Sequence, residues 1–231
     1  MLSTKERVYA ERSRATERYI LSTMPALYLP LDRLDGTTQF LSADGYGHLC
    51  TATGTEGSNQ GKKLDGVDDK ITIPDHAFWN MAGGQWAMAA WLKPDDSANE
   101  LTIIGQREDA NNLMQWHIQA TGKLALNIRN AGTYDVSFNT TMSLVRNHWQ
   151  FLCITENGDS YDNHLDYQAE RVTDTGRANN FAGVLSIGHL TDGGGAEDYY
   201  DGAMGLVLFY PRYLSPVDFY RLREATEWRF R

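Results

Sequence analysis

Three aspartates and a glycine crowd one short stretch, LDGVDDKITIP at Leu64–Pro74. Carboxylates this close suit three kinds of chemistry. They can hold a hard cation such as calcium, work as general acid and base, or form the polar side of a turn leading into a strand. Catalysis is the most demanding. Glycosidic hydrolysis takes two carboxyl groups flanking the scissile bond, one protonating the leaving oxygen and the other attacking or activating water. On a strand this means acids two or four apart on one face. The strand-like runs LMQWHIQ, KLALNIR and HWQFLCIT contain no Asp or Glu, and a glycine-bearing turn parts Asp65 from Asp69. A hydrolase is not expected. Calcium is harder to dismiss, because acidic, glycine-containing turns recur at 65–69, 156–166 and 192–202. Asp65, Asp69 and Asp201 are the candidate ligands, although no turn has the Asp-x-Asn-x-Asp-Gly spacing of a dedicated calcium loop. The stretch reads first as structure. Asp65-Gly66 makes a turn, and Asp69 leads into Ile71 and Ile73, which face a core.

A second constellation would bind rather than react. Sugar sites stack a pyranose on an aromatic plane and satisfy its hydroxyls with Asn, Asp, Gln and Arg. Gln115, His117 and Gln119 alternate with Met114, Trp116 and Ile118, while Asn127 and Arg129 alternate with Leu126 and Ile128. These polar side chains therefore share the outward side of their strands. The loop aromatics Trp79, Tyr199 and Tyr200 are the candidate stacking rings. The competing reading is plain. A sandwich always has an outward polar face, and exposed aromatics also serve subunit contacts.

The elements that must position these residues are strands. From Ala26 onward, short apolar runs such as ALYLPL, DKITI, LTIIG, VLSIG and AMGLVLFY are separated by Gly, Asn and Asp. WAMAAWL is apolar on both sides, as a central strand covered on both faces would be. Many short strands with few helices imply an all-β antiparallel sandwich. One short helix closes the chain, with Ser215 as its cap and Pro216 in its first turn. Residues 1–22 differ in kind. Ser3 and Glu6 are spaced as a capping box, and five cations against three glutamates give this segment +2. The whole chain is at −9, so the remainder carries −11. Its apolar stripe is thin, Val8, Ala15 and Tyr19 with Arg12 in the seam. A helix this polar is expected to gain little by packing on its own domain. Arg7, Arg12, Arg14, Arg18 and Tyr19 are candidate partner-docking residues of an arm over 1–25, followed by the sandwich over 26–231.

The balance of charge argues against a nucleic-acid binder, and no apolar run approaches membrane-spanning length. The N-terminal stretch lacks the apolar centre of a secretory signal, so synthesis and release in cytosol are expected. Cys50 and Cys153 each lie in a strand-like run, as small buried hydrophobes rather than a disulfide.

The ordered set LDGVDDKITIP, WAMAAWLKP, TIIGQ, WHIQATGKLALNI, HWQFLCIT, LSIGHL and DYYDGAMGLVLFYPRYLSPVDFYRL resembles laminin G-like domains of the concanavalin A-like lectin/glucanase superfamily. The resemblance covers residues 26–224 and implies a jelly-roll sandwich. Some laminin G-like domains bind structural calcium. Where such domains usually carry Tyr-x-Asp-Gly, this chain has SYDNHLDYQAER, so a rebuilt loop is expected over 156–171. The lead-in ALYLPLDRLDGTTQFLSADGYGHLCTATG further resembles that of domains in tailed-phage virion proteins. The reading that follows is a non-enzymatic virion structural protein, made in the host cytoplasm and displayed on the virion surface as a decoration or fibre component. Its partners would be capsid or other virion proteins, and it would be a homo-oligomer, with a trimer favoured. The alternative is a glycan-binding module for host attachment.

Overall fold

Alternation along the strands decides the layers. Leu124, Leu126 and Ile128 are buried in the same core as Met114, Trp116 and Ile118, as a period of two requires. The structure, a computed structural model, describes residues 3–33, 38–58, 60–95, 99–191 and 197–231. Two antiparallel sheets of eight strands each pack face to face. The first runs Gln168–Thr173, Ser160–Leu165, Gln150–Glu156, Ala87–Pro94, Asp201–Tyr210, Gly61–Asp65 and Glu56–Ser58, with Leu27–Pro30 also paired to Asp201–Tyr210. The second runs Thr133–Ser143, Lys123–Asn130, Asn112–Ile118, Leu101–Asp109, Leu185–Ile187, Lys70–Ile73, Leu49–Thr53 and Gln39–Leu41. A separate ribbon pairs His189–Thr191 with Glu197–Tyr199. This is the all-β sandwich read from the strand pattern and the jelly roll implied by the family resemblance, with a helix near each end.

The doubly apolar strand Ala87–Pro94 is covered on both sides. Met88, Ala90 and Leu92 face the sandwich core, whereas Ala87, Ala89 and Trp91 join a second cluster with Phe151, Leu208 and Phe219. That second cluster lies under two helices. One is α1, Thr4–Ser22, and the other is α2, Pro216–Glu227. Both begin with capping boxes, Ser3 with Glu6 and Ser215 with Asp218, which satisfy first-turn N–H groups. Trp91 anchors the layer. Its Nε1 donates to Thr226 Oγ1 at 2.7 Å, and Phe230 stacks on its ring at 4.7 Å.

Two expectations fail here. The thin stripe of α1 does not set its packing. Thr16 and Ile20 are buried instead, and Val8 stays 46 % exposed. Thr16 Oγ1 donates to the Ala225 carbonyl at 2.8 Å and accepts from Trp228 Nε1 at 2.9 Å, while Tyr9 meets the Trp228 ring edge-on at 5.0 Å. Hydrogen bonds let a polar face dock where apolar area alone would not. Nor is the segment 156–171 rebuilt. Ser160–Leu165 and Gln168–Thr173 form a regular hairpin, with Asp166 taking the left-handed turn position at φ 51°. Both cysteines are free and buried, Cys50 in the sandwich core and Cys153 under the helices.

Candidate functional site

The acidic stretch joins the two sheets. Gly61–Asp65 belongs to the first and Lys70–Ile73 to the second, with Gly66 at φ 74° between them. The turn is built from its own carboxylates. Asp65 Oδ1 accepts the N–H groups of Val67 at 2.9 Å and Asp68 at 3.3 Å, and Asp69 Oδ2 accepts that of Asp65 at 2.9 Å. The structural reading of this stretch therefore holds. The same geometry also gathers charge, since one oxygen from each of Asp65, Asp68 and Asp69 lies within 4.8 Å of the others. They line a depression with Gly54, Glu56 and Lys63. Burial pushes the Asp69 carboxyl up, with Asp65 and Asp68 adding to the rise, whereas the Val67 N–H holds Asp65 below the usual carboxylate range. This triad could coordinate a divalent cation such as calcium, because a hard cation would offset three converging negative charges. Asp201 faces Asp65 in register but is outside the cluster found among the described residues, and Asp68 stands in its place. Residues 192–196 of the third acidic turn lie outside the described residues.

The outer face of the second sheet carries the other candidates. Strand register lines up Thr51, Thr72, Ser186, Gly105, Gln115, Asn127 and Ser137 in one row across it. The ribbon of His189–Thr191 and Glu197–Tyr199 crosses this row. A Cβ on Gly105 would come within 2.8 Å of Leu190, so only glycine admits the ribbon there. Gln115 is consequently 3 % exposed, and its Nε2 donates to Thr102 Oγ1 at 2.9 Å and Asp198 Oδ2 at 3.0 Å. His117 is 1 % exposed, with Nε2 3.6 Å from Glu100 Oε2, and burial lowers its pKa. Beyond the ribbon the row opens. Asn127 and Arg129 are half-buried and Ser137 is exposed, with Ser137 Oγ donating to Asn127 Oδ1 at 2.9 Å. Arg129 Nε donates to the Gly132 carbonyl at 3.0 Å, and its guanidinium lies 5.5 Å from the ring centre of Tyr134, an exposed residue that pattern reading passed over.

The expected stacking rings are mostly inside. Trp79 and Tyr200 are fully buried and offer no face to a ligand, because both complete the sandwich core. Gln115 and His117 are likewise closed off, since a two-residue period assigns a face but says nothing of what covers it. Only Tyr199 remains partly open. Its ring stacks on His189 at 4.5 Å, and its hydroxyl donates to Glu197 at 2.8 Å. That bond, with those from His189 and Thr191, holds the Glu197 carboxyl down at about 2.

Not legible from the strand pattern is a cluster of rings made by Tyr46, His48, His76 and Phe78 around buried Trp79. The signal was present as Tyr-Gly-His at 46–48 and His-Ala-Phe-Trp at 76–79. It was split between two loops far apart in sequence.

Against known proteins, the sequence matches the concanavalin A-like lectin/glucanases superfamily across residues 65–218. The chain belongs to that superfamily. No curated protein matches it. Among solved structures, it superposes on domain 4 of an extracellular arabinanase from Geobacillus stearothermophilus, in complex with arabinotriose. The TM-score is 0.68 at 17 % identity, covering 86 % of this chain and 97 % of that one. It also matches the binding domain of botulinum neurotoxin serotype C1, with a TM-score of 0.67 at 12 % identity, covering 89 % of this chain and 53 % of the other. A Trypanosoma rangeli sialidase mutant displaying trans-sialidase activity gives 0.64 at 10 % identity, with 89 % and 34 % covered. This chain thus spans nearly all of the arabinanase domain, about half of the toxin domain and a third of the sialidase. At these identities the likeness is one of fold. No described helix is long and apolar enough to cross a membrane.

Proposed function

We propose that the protein is a non-enzymatic carbohydrate-binding module, and that it holds glycans on the open part of the second sheet's outer face. The observation that carries this reading is the juxtaposition of Asn127, Ser137, Arg129 and Tyr134 beside the Gln115–Asp198 pair. Tyr134 is 49 % exposed and supplies a stacking plane. Asn127 Nδ2, which has no protein partner among the described residues, donates to a sugar hydroxyl, and the Asp198 carboxylate accepts from one. Two likenesses support it. The arabinanase domain carries arabinotriose, and cell entry of botulinum neurotoxin type C is described as dependent upon interaction with two ganglioside molecules. The resemblance of the lead-in to phage virion proteins supports placing the module on a virion exterior, where host glycans would be its targets. Lys5, Arg7, Arg12, Arg14 and Arg18 of α1 have no ion-pair partner among the described residues, which suits attachment of that helix to an acidic virion surface.

The test is a glycan array probed with the whole chain, followed by calorimetry on the hits. Tyr134→Ala and Asn127→Ala are each expected to weaken binding by about tenfold with melting unchanged. Wild-type affinity in both variants would remove the outer face from the account.

A further inference from the structure

The ring cluster at the rim of the second sheet is not explained by packing. The loop between Gln39–Leu41 and Leu49–Thr53 supplies Tyr46 and His48, and the segment after Lys70–Ile73 supplies His76, Phe78 and Trp79. Neighbouring centroids are 4.4 Å apart for Tyr46–Phe78, 4.5 Å for Phe78–His76, 4.9 Å for His76–His48 and 4.8 Å for His48–Trp79. Trp79 and Phe78 serve the core. Tyr46, by contrast, is 60 % exposed, and His76 is exposed as well.

The loop is held as if for display. Asp44 Oδ1 accepts the N–H groups of Tyr46 at 2.9 Å and Gly47 at 3.4 Å, and its Oδ2 accepts that of Tyr28 at 3.0 Å. Ser42 and His48 exchange two further bonds, Ser42 N–H to the His48 carbonyl at 2.9 Å and His48 N–H to Ser42 Oγ at 2.8 Å. A loop fixed in advance loses little entropy when it binds. Its neighbours also set the histidine tautomers. His48 Nε2 lies 3.1 Å from the Ala26 carbonyl oxygen, so Nε2 carries the proton and Nδ1 is left as an acceptor. His76 Nδ1 accepts the Phe78 N–H at 3.2 Å, so its Nε2 carries the proton and is left as a donor. Neither of these remaining nitrogens, nor the Tyr46 hydroxyl, has a protein partner among the described residues.

We propose that this rim is a second carbohydrate site, at which a sugar ring stacks on Tyr46 while His48 Nδ1 and His76 Nε2–H read its hydroxyls. The proposal rests on the glycan-binding reading but uses none of the outer-face residues. The ligand class follows from the chemistry. A ring face suits the C–H side of a sugar, and one donor beside one acceptor matches hydroxyl groups, which are both. Of the carboxylates nearby, Asp44 is spent on three backbone N–H groups and Asp75 accepts from Gln106 Nε2 at 3.4 Å, so both are already engaged by the protein. Acid should weaken the site. His48 is faced by Asp44 from its own loop, by His76 and by the Ala26 carbonyl. Burial, the largest influence, lowers its pKa, Asp44 and the carbonyl oppose this, and His76 adds to the lowering. Neutral His48 thus keeps its acceptor at pH 7.5, and protonation, which burial defers to below the ordinary histidine range, turns that acceptor into a donor.

The experiment titrates the full chain with arabinotriose, lactose, cellotriose and sialyllactose by calorimetry at pH 7.5 and 5.0. It compares wild type with Tyr46→Ala, His76→Ala and Tyr134→Ala. Tyr46→Ala is expected to weaken binding by about tenfold, and His76→Ala by a few-fold. Because both side chains are exposed, melting should shift by no more than about 2 °C. In Tyr134→Ala, the binding that remains should be weaker at pH 5.0. Wild-type affinity in Tyr46→Ala, with loss in Tyr134→Ala, would overturn the rim site and leave the outer-face reading standing. Binding unchanged in every variant, or no probe bound at all, overturns both. If Tyr46→Ala reduces self-association in sedimentation velocity and leaves sugar affinity intact, the patch is a contact between copies and the proposal fails.

Discussion

Asp69 shows how one residue ties turn, charge and metal together. Its Oδ1 lies so close to Gly54 that a Cβ there would sit 1.6 Å away, and Gly54 has φ 72°. Gly54→Ala therefore brings both a clash and backbone strain, and should cost about 1–3 kcal/mol in a denaturant titration. The acidic chemistry is a separate question. Because burial raises the Asp69 carboxyl, the folded state prefers it protonated. Its contribution favours folding at low pH and is lost as pH rises through the raised value. A bound cation would offset that penalty only where Asp69 is ionised. Calcium should thus raise the melting temperature at pH 7.5, chelator should reverse the rise, and the effect should shrink toward pH 4. Asp68→Asn, which alters an exposed and unburied carboxylate, should abolish it. An unchanged midpoint with calcium and with chelator takes the metal out of the account. Sequence reading reached Asp65 and Asp69 because a Gly turn beside clustered acids is a local pattern. That Asp68 rather than Asp201 completes the cluster depends on where the carboxylates point, which is not written along the chain.

At the scale of elements, the strands were legible and the face of α1 was not. Alternation in LALNIR and MQWHIQ comes from burial on one side of a sheet, and the doubly apolar WAMAAWL comes from burial on both. Helix α1 docks by Thr16 and Ile20, and a threonine making two hydrogen bonds to the far end of the chain leaves no mark in an apolar count. The ribbon over Gly105 was equally hidden, so Gln115 and His117 were placed on the right face of the sheet but not beneath their cover. The docking of α1 can be measured. Ile20 is fully buried among Tyr28, Tyr210 and Phe219, so Ile20→Ala should cost about 2–4 kcal/mol. In a chain of this size that lowers the melting temperature by roughly 5–12 °C. Deleting residues 1–22 should produce a similar loss while leaving a folded sandwich, because the main core draws nothing from α1. If the truncated chain has no cooperative transition, α1 is part of the domain and not an arm attached to it.

For the whole molecule, the layering governs what the acids can do. The jelly roll needs both sheets to bury their facing sides, and the helices cover the central strands of the first sheet's far side, so the second sheet offers a broad outer face to a long polymer. A glucanase-like reaction would require two carboxyls on that face with room for a glycosidic bond between them. The strands Asn112–Ile118 and Lys123–Asn130 that form its floor have none. The acids buried on the first sheet are already engaged. Arg177 lies 2.7 Å from Glu156 Oε1, and Asp162 takes Arg171 at Oδ2, 2.8 Å away, together with the Tyr213 hydroxyl at 2.9 Å. Burial pushes the Asp162 carboxyl up, but the Arg171 and Tyr213 bonds outweigh it and hold the group below the usual range, a poor proton donor to a leaving oxygen, whereas burial raises the Glu156 carboxyl despite Arg177. Asp65, Asp68 and Asp69 stand at the junction of the sheets, where their oxygens lie within 4.8 Å of one another. Carboxylates converging on one point in a turn suit a shared cation better than two groups on opposite sides of a glycosidic bond, and they fall far short of an inverting pair. The expected outcome is binding without turnover. Incubated with β-glucan, galactan and arabinan in excess, the protein should release no reducing ends above buffer over a day, even for polymers it retains on an affinity gel. Sugar release that disappears in Asp65→Asn or Asp69→Asn would show that the acidic turn is catalytic and that the binding-module reading is wrong.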